Sequence, residues 1–134
     1  MNATAAVAAE RPTLLVDALR LDAVASGATG VLLAAGAPWL DGVLGAPAAF
    51  LAPLGALFVA YAALLWLLAR SRAENRRAVV AVIGSNVLWV ALSVVAVIVD
   101  WLTLTALGTG FVLLQAAAVA VIAELQLTGL RRAS

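Results

Sequence analysis

Four long apolar stretches take up most of this chain and constrain its fold more than any other feature. Their bounds are roughly Leu19–Leu40, Phe50–Ala69, Ala78–Val99 and Leu102–Leu127. The hydrocarbon core of a bilayer is about 30 Å thick, and a helix needs about 20 apolar residues to cross it. Every stretch reaches that length. The sequence therefore predicts an all-α protein: an up-down bundle of four transmembrane helices in one membrane domain covering residues 1–134.

Composition excludes several classes of protein. Hydrophobic residues make up 66% of the chain and charged residues 11%, whereas soluble domains carry about 25% charged residues. The chain has no cysteine, histidine or lysine, which removes disulfides, thiol chemistry, Schiff bases and the commonest zinc ligand. A net charge of +1 without a basic patch gives no reason to expect a nucleic-acid partner. We expect no cofactor and no metal.

Arginine placement predicts the orientation of the spans. The loop Arg70–Arg77 holds four of the eight basic residues, and the others lie near the chain ends, at Arg11, Arg20, Arg131 and Arg132. The two remaining loops carry Asp41 and Asp100 and no basic residue. The positive-inside rule then places both termini and the central loop in the cytoplasm. Because an arginine-only basic set in an Ala/Leu/Val-rich chain is typical of bacterial genomes of high GC content, we expect a multi-pass protein of the bacterial inner membrane.

Small and aromatic residues indicate how the spans pack and where they meet the interfaces. Span one offers a small-residue face at Ser26–Gly30 and span two offers Gly55, while span four offers Gly110, Ala117 and Ala120. Such surfaces let helix backbones approach closely within lipid. Tryptophans anchor spans at the interfaces, and this role is expected for Trp39, Trp66 and Trp101. The fourth tryptophan, Trp89, lies well inside span three.

Polar residues within the spans mark the candidate site. Counted from the nearest arginine, Tyr61, Asn86 and Thr29 each lie about 13 Å deep, since a helix rises about 1.5 Å per residue. Ser26 and Glu124 lie about 9 and 10 Å deep by the same count. All four spans thus contribute to one polar layer, on the cytoplasmic side of the midplane. Further candidates for contact with a ligand or an ion are Gln115 and Trp89, whereas solvated boundary charges are expected at Asp22, Asp41 and Asp100.

Three interpretations of Glu124 stay open. Its helix face also carries Ala117 and Ala120, which favours an inward position. A carboxylate in hydrocarbon usually finds a partner, so Glu124 is either a proton- or cation-binding group, with Tyr61 and Asn86 as hydrogen-bond partners, or part of a polar clasp that fixes the helix register. The third interpretation is that its side chain reaches the surface and pairs with an arginine there.

The residues give little support for catalysis, and we do not expect an enzyme. A membrane hydrolase needs a Ser or Thr nucleophile with a base beside it. Without histidine or lysine, Glu124 and Asp22 are the residues left to act as that base, and no second carboxylate shares the depth of Glu124. The glycines follow no phosphate-binding pattern.

Several segments resemble a group of small bacterial four-span integral membrane proteins of uncharacterised function. They are LRLDAVASG at Leu19–Gly27, NVLW at Asn86–Trp89, LGTGFVLLQA at Leu107–Ala116 and AELQ at Ala123–Gln126. The resemblance covers about residues 14–132; it implies the four-span fold and draws attention to Asp22, Asn86, Trp89, Gln115 and Glu124, but it implies no activity. The chain also matches small multidrug-resistance transporters in length and span number. Those transporters carry their essential Glu in the first span, where this chain has none.

Two hypotheses follow for function. The first is a non-catalytic bundle, an accessory or scaffold subunit or a binder of lipid or a hydrophobic small molecule, whose partners are the bilayer and other membrane subunits or copies of itself. The short loops and the small-residue packing faces favour it. The second is a small oligomeric transporter or channel that uses the layer of Glu124, Asn86 and Tyr61 to couple protons or cations.

Overall fold

The described part of the chain forms four helices, and each is long and apolar enough to span a membrane. The structure, a computed structural model, describes the backbone of residues 3–133 and the side chains of residues 14–132. The helices are α1 (Ala3–Leu40), α2 (Ala48–Arg70), α3 (Arg76–Ile98) and α4 (Ala106–Ala133), and a π-helical turn, Asp41–Gly45, extends α1. The all-α prediction is thereby confirmed, and the four helices are candidate membrane spans, which suggest a multi-pass membrane protein.

The last span begins later than its apolar stretch suggests. It starts at Ala106 rather than Leu102 because Asp100 and Thr103 adopt left-handed backbone conformations, with φ of 54° and 51°. Thr105 then caps α4, since its Oγ1 accepts a hydrogen bond from the Gly108 amide at 3.0 Å. The Thr105 amide also donates to the Leu44 carbonyl at 3.0 Å. The α3–α4 loop is thus fastened to the end of α1.

A short loop joins α2 to α3. Arg72 and Ala73 take left-handed conformations and reverse the chain. Asn75 caps α3, because its Oδ1 accepts a hydrogen bond from the Ala78 amide at 3.1 Å. We call this side of the bundle the arginine end, since the described arginines Arg20, Arg70, Arg72, Arg76, Arg77, Arg131 and Arg132 lie near it with exposed side chains. The side chain of Arg11 lies outside the described residues.

The bundle is closed along three helix pairs and loosely packed along the fourth. α1 runs beside both α2 and α4, and α4 also runs beside α3. α2 and α3 meet through side chains near the arginine end, where residues of all four helices form one apolar cluster around Leu19, Leu65 and Val79. At the opposite end, the apolar cluster around Leu33 and Leu51 draws its buried residues from α1, the π-helical turn and α2 and their connection, without α3. α2 and α3 therefore diverge towards that end.

Glycines set the closest approaches between helices. A Cβ on Gly30 would lie 2.7 Å from the Gly55 carbonyl oxygen, so α1 and α2 cross where these two glycines face each other. The sequence marked Gly30 and Gly55 as packing positions, and the structure places them against each other. On α4 the close contacts are instead made by Gly108 against Leu44 and by Gly129 against Leu15. The predicted packing face of Gly110, Ala117 and Ala120 is wrong, since all three are exposed.

The tryptophans differ in exposure as expected for their depths. Trp39 and Trp101, at the end opposite the arginines, are 70% and 64% exposed. Trp66, at the arginine end, is also exposed. Trp89 is half-buried, and its contacts belong to the site described next.

Candidate functional site

A buried carboxylate, Asp22, is the centre of a hydrogen-bond network inside the bundle. Asn86 Nδ2 and Gln126 Nε2 each donate a hydrogen bond to Asp22 Oδ2, both at 2.8 Å. Ser26 Oγ donates to Asp22 Oδ1 at 3.1 Å, which a spacing of four residues allows because it brings side chains together on one face of a helix. These three donors occupy three of about four acceptor positions of the carboxyl group.

The network joins all four helices. Asn86 Nδ2 also donates to Gln126 Oε1 at 2.9 Å, and the Tyr61 hydroxyl donates to Asn86 Oδ1 at 3.0 Å. α1 supplies Asp22 and Ser26, and one further member comes from each of the other helices. Within the described side chains, every buried polar atom has a hydrogen-bond partner. A network satisfied in this way favours one register of the helices.

The expectation that Asp22 is a solvated charge at the membrane boundary is wrong. Its side chain is 2% exposed. Arg20 suggested a boundary position, but α1 continues well before it, and Arg20 points outwards, where it pairs with Asp17 at 3.8 Å. Two residues further along the helix, about 200° around its axis, Asp22 shares the buried face of Leu15 and Leu19.

Glu124 does not belong to the polar layer, so the prediction of an inward Glu124 is also wrong. Its side chain is exposed on the surface of α4. The inward position belongs to Gln126, which is fully buried. Because the two residues are about 200° apart around the helix, α4 cannot turn both of them inwards. Asn86 and Tyr61 were expected to be the hydrogen-bond partners of Glu124. They belong instead to the network of Asp22.

A second polar contact joins α3 to α4. Trp89 Nε1 donates to Gln115 Oε1 at 2.7 Å, and Gln115 Nε2 donates to Ser93 Oγ at 3.2 Å. Ser93 Oγ in turn donates to the Trp89 carbonyl at 2.7 Å. The sequence singled out Trp89 and Gln115 separately, and the structure brings them together. This contact fixes the orientation of the indole ring.

A cavity of about 270 Å³ lies beside the Asp22 network. We call it the polar cavity, since its polar lining residues are Asp22, Ser26, Thr29, Tyr61, Ser85, Asn86 and Gln115. The sequence predicted that Ser26, Thr29, Tyr61 and Asn86 would lie at one depth, and the structure brings all four to this cavity. Gln126 is not among its lining residues. The network therefore faces the cavity with Asp22, Asn86 and Tyr61.

A larger cavity of about 520 Å³ lies between the diverging parts of α2 and α3. Its lining is almost wholly apolar and includes Phe50, Leu54, Leu92, Ala96, Trp101 and Phe111. We call it the apolar cavity. Phe58, Trp89 and Gln115 line both cavities. Phe58 and Trp89 meet edge to face there, with ring centroids 5.0 Å apart.

The cavities differ in what they can hold. The apolar cavity offers contact with a hydrocarbon group, whereas the polar cavity offers one carboxylate, hydroxyls and aromatic faces. Among the side chains that the structure describes, no group of three Asp, Glu, His or Cys residues is arranged to hold a metal ion.

No protein-family model, no curated protein and no solved structure matches this chain. The resemblance to small four-span bacterial membrane proteins stays a prediction. The structure has four long apolar helices, which are consistent with a four-span membrane protein.

Proposed function

We propose that this chain is a non-catalytic membrane protein that binds a lipid chain or another hydrophobic small molecule within its helix bundle. The observation that carries the proposal is the apolar cavity of about 520 Å³ between α2 and α3. Ligand sites are typically concave, mostly apolar and provided with a few polar groups. The apolar cavity has this character, with Ser93 and Gln115 as its polar groups.

The position of the cavity supports a ligand that enters from the membrane. α2 and α3 lack the close backbone packing that joins the other neighbouring helices, so the space between them faces the surface of the bundle. In a bilayer that surface is in contact with lipid. The proposed location is the bacterial inner membrane, with both termini and the arginine end in the cytoplasm, as the arginine distribution favours.

A cavity-filling substitution tests this proposal. Ala96 lines the apolar cavity on α3, whereas Ala91, on the same helix, is exposed and lines neither cavity. We expect native mass spectrometry of the protein, extracted gently from its own membranes, to detect a bound lipid or hydrophobic molecule. Ala96→Phe should lower the bound fraction, and Ala91→Phe should leave it unchanged.

Two results would contradict ligand binding. One is a wild-type protein without any bound molecule, and the other is equal occupancy in Ala96→Phe and the wild type. A larger assembly with other membrane proteins, seen in the same spectra, would instead support the role of accessory or scaffold subunit and would identify the partner by its mass.

A small oligomeric transporter is the second candidate, and one observation favours it. The polar and apolar cavities adjoin at Phe58 and Trp89, and a buried carboxylate lies at the polar one. In this version the coupling group is Asp22, because Glu124 is exposed. The test is flux of protons or cations into liposomes that contain the protein. Asp22→Asn should abolish the flux and Glu124→Gln should retain it; no flux in the wild type would remove this candidate.

A further inference from the structure

Asp22 is the charged group of the polar cavity. Among the described residues that line it, none carries a positive charge. The described arginine side chains are all exposed. Arg20, the nearest of them along the chain, pairs with the exposed Asp17. An ionised Asp22 therefore gives the cavity a negative charge that no described lining residue neutralises.

The hydrogen bonds of Asp22 solvate its charge without neutralising it. Asn86, Gln126 and Ser26, its three donors, are all uncharged. A carboxylate has about four acceptor positions, and donors from the described residues occupy three of them, which leaves one. It belongs to Oδ1, whose partner Ser26 also lines the cavity. A buried charge is stabilised further by an opposite charge close to it.

Aromatic rings surround the same space. Phe58, Tyr61 and Trp89 all line the polar cavity. Aromatic faces attract cations, and the attraction is strongest where water is excluded. A carboxylate combined with several aromatic rings is the chemistry that recognises an organic ammonium group.

The apolar cavity provides space for the hydrocarbon tail of an amphiphile. It adjoins the polar cavity at Phe58 and Trp89, so one molecule can place a charged head in the first space and a hydrocarbon tail in the second. The two volumes, about 270 and 520 Å³, fit such a division into a small head and a longer tail.

We infer that the hydrophobic ligand of the proposed function is a cationic amphiphile: a single organic ammonium group held at Asp22 and the aromatic rings, with its alkyl chain in the apolar cavity. This inference rests on the proposed function, because the alkyl chain occupies the cavity on which that function is based. It adds the charge of the ligand and names the residue that recognises it.

A pair of matched probes tests the inference. Decyltrimethylammonium carries a positive charge, and decyldimethylamine oxide has the same chain and a head of similar size without net charge. Binding of each to the full-length protein in uncharged micelles is followed by the fluorescence of Trp89, with Trp39, Trp66 and Trp101 replaced by Phe. Each affinity is corrected for partition of that probe into protein-free micelles.

The wild-type site should prefer the cation by about tenfold or more, which corresponds to about 1.4 kcal/mol. Asp22→Asn should lose this preference while still binding the uncharged probe. Glu124→Gln, a matched change at an exposed carboxylate, should keep it.

Three other outcomes each contradict a different statement. Equal binding of both probes to the wild type would overturn the inferred charge of the ligand and leave the proposed function standing. A preference that survives Asp22→Asn would show that Asp22 is not the recognising group. If neither probe binds, both the proposed function and the inference fail. If Asp22→Asn does not fold, the comparison of the two probes on the wild type still tests the charge of the ligand.

Discussion

Phe58 of α2 and Trp89 of α3 meet edge to face, with ring centroids 5.0 Å apart and ring planes at 77°. The contact lies where the polar and apolar cavities adjoin. It also bridges α2 and α3, the neighbouring helices that diverge beyond this point. One aromatic pair therefore lines both cavities and joins α2 to α3 beside them.

A double-mutant cycle should detect this contact. Phe58→Leu and Trp89→Leu, alone and combined, should give a coupling free energy of about 0.5–1.5 kcal/mol, the usual range for aromatic pairs. Unfolding in mixed micelles measures it. A parallel cycle on Phe50 and Trp101, whose centroids are 5.8 Å apart with Trp101 largely exposed, should give a smaller value. Zero coupling at the first pair would contradict its bridging role.

Asn86 should contribute more to stability than any residue beside it on α3. Asn86→Ala removes the amide that bonds Asp22, Gln126 and Tyr61 together. Leaving buried polar groups without partners costs about 1–3 kcal/mol, so we expect unfolding in micelles to become easier by that amount. Ser85→Ala, at the exposed neighbouring position, should change stability by less than about 0.5 kcal/mol. Equal effects would mean that the network does not hold the helices together.

Two glycines of α4 should respond oppositely to alanine. A Cβ on Gly108 would collide with the Leu44 backbone, whereas a Cβ on Gly110 meets nothing within 4 Å. Overpacking costs about 1–3 kcal/mol, and alanine in a helix gains about 1 kcal/mol over glycine. Thermal unfolding should therefore show Gly108→Ala destabilised and Gly110→Ala unchanged or stabilised. A tolerated Gly108→Ala would contradict the close packing of α4 on the end of α1.

Single cysteines should reveal the orientation, because the chain has no cysteine of its own. Gly42 lies in the π-helical turn with open space around it, and Ser71 lies in the arginine-rich loop. Since arginine-rich loops stay in the cytoplasm, a membrane-impermeant maleimide should label Gly42→Cys on intact cells. Ser71→Cys should react only after permeabilisation. The reverse pattern would overturn the proposed orientation.

The spans could be predicted from the sequence because a bilayer imposes a minimum length on apolar helices. The beginning of α4 could not, because it depends on the left-handed residues Asp100 and Thr103 and on the cap that Thr105 forms. Apolar composition does not change across that boundary. Gly30 and Gly55 could be predicted as packing positions because small residues let helix backbones approach closely, but their pairing depends on tertiary packing.

The polar layer was predictable in depth but not in its central residues. Counting from the arginines grouped Ser26, Thr29, Tyr61 and Asn86, which line one cavity in the structure, since rise along a helix is constant. Facing was harder. On α4 the small residues at 117 and 120 suggested the wrong side, whereas a repeat of seven residues, Val112, Val119 and Gln126, marks residues turned at least partly inwards. That repeat, with Gln126 at its end, was the available signal.

The buried position of Asp22 was not predicted because Arg20, two residues before it, suggested solvent. The neighbouring pattern carried the opposite signal, since Leu15 and Leu19 precede it by seven and three residues and Ser26 follows it by four. Helical spacing puts these side chains on one face. The identity of its partners on α3 and α4 depends on tertiary packing, which periodicity within one helix does not specify.

Asp22, rather than Glu124, is the carboxylate that organises the bundle. The direct measurement compares the free energy of unfolding of Asp22→Asn and Glu124→Gln with that of the wild type in micelles. Asp22→Asn weakens three hydrogen bonds to a charge and should cost about 1.5–3 kcal/mol, whereas Glu124→Gln, at an exposed position, should change stability by less than about 0.5 kcal/mol. A larger loss for Glu124→Gln than for Asp22→Asn would contradict the account.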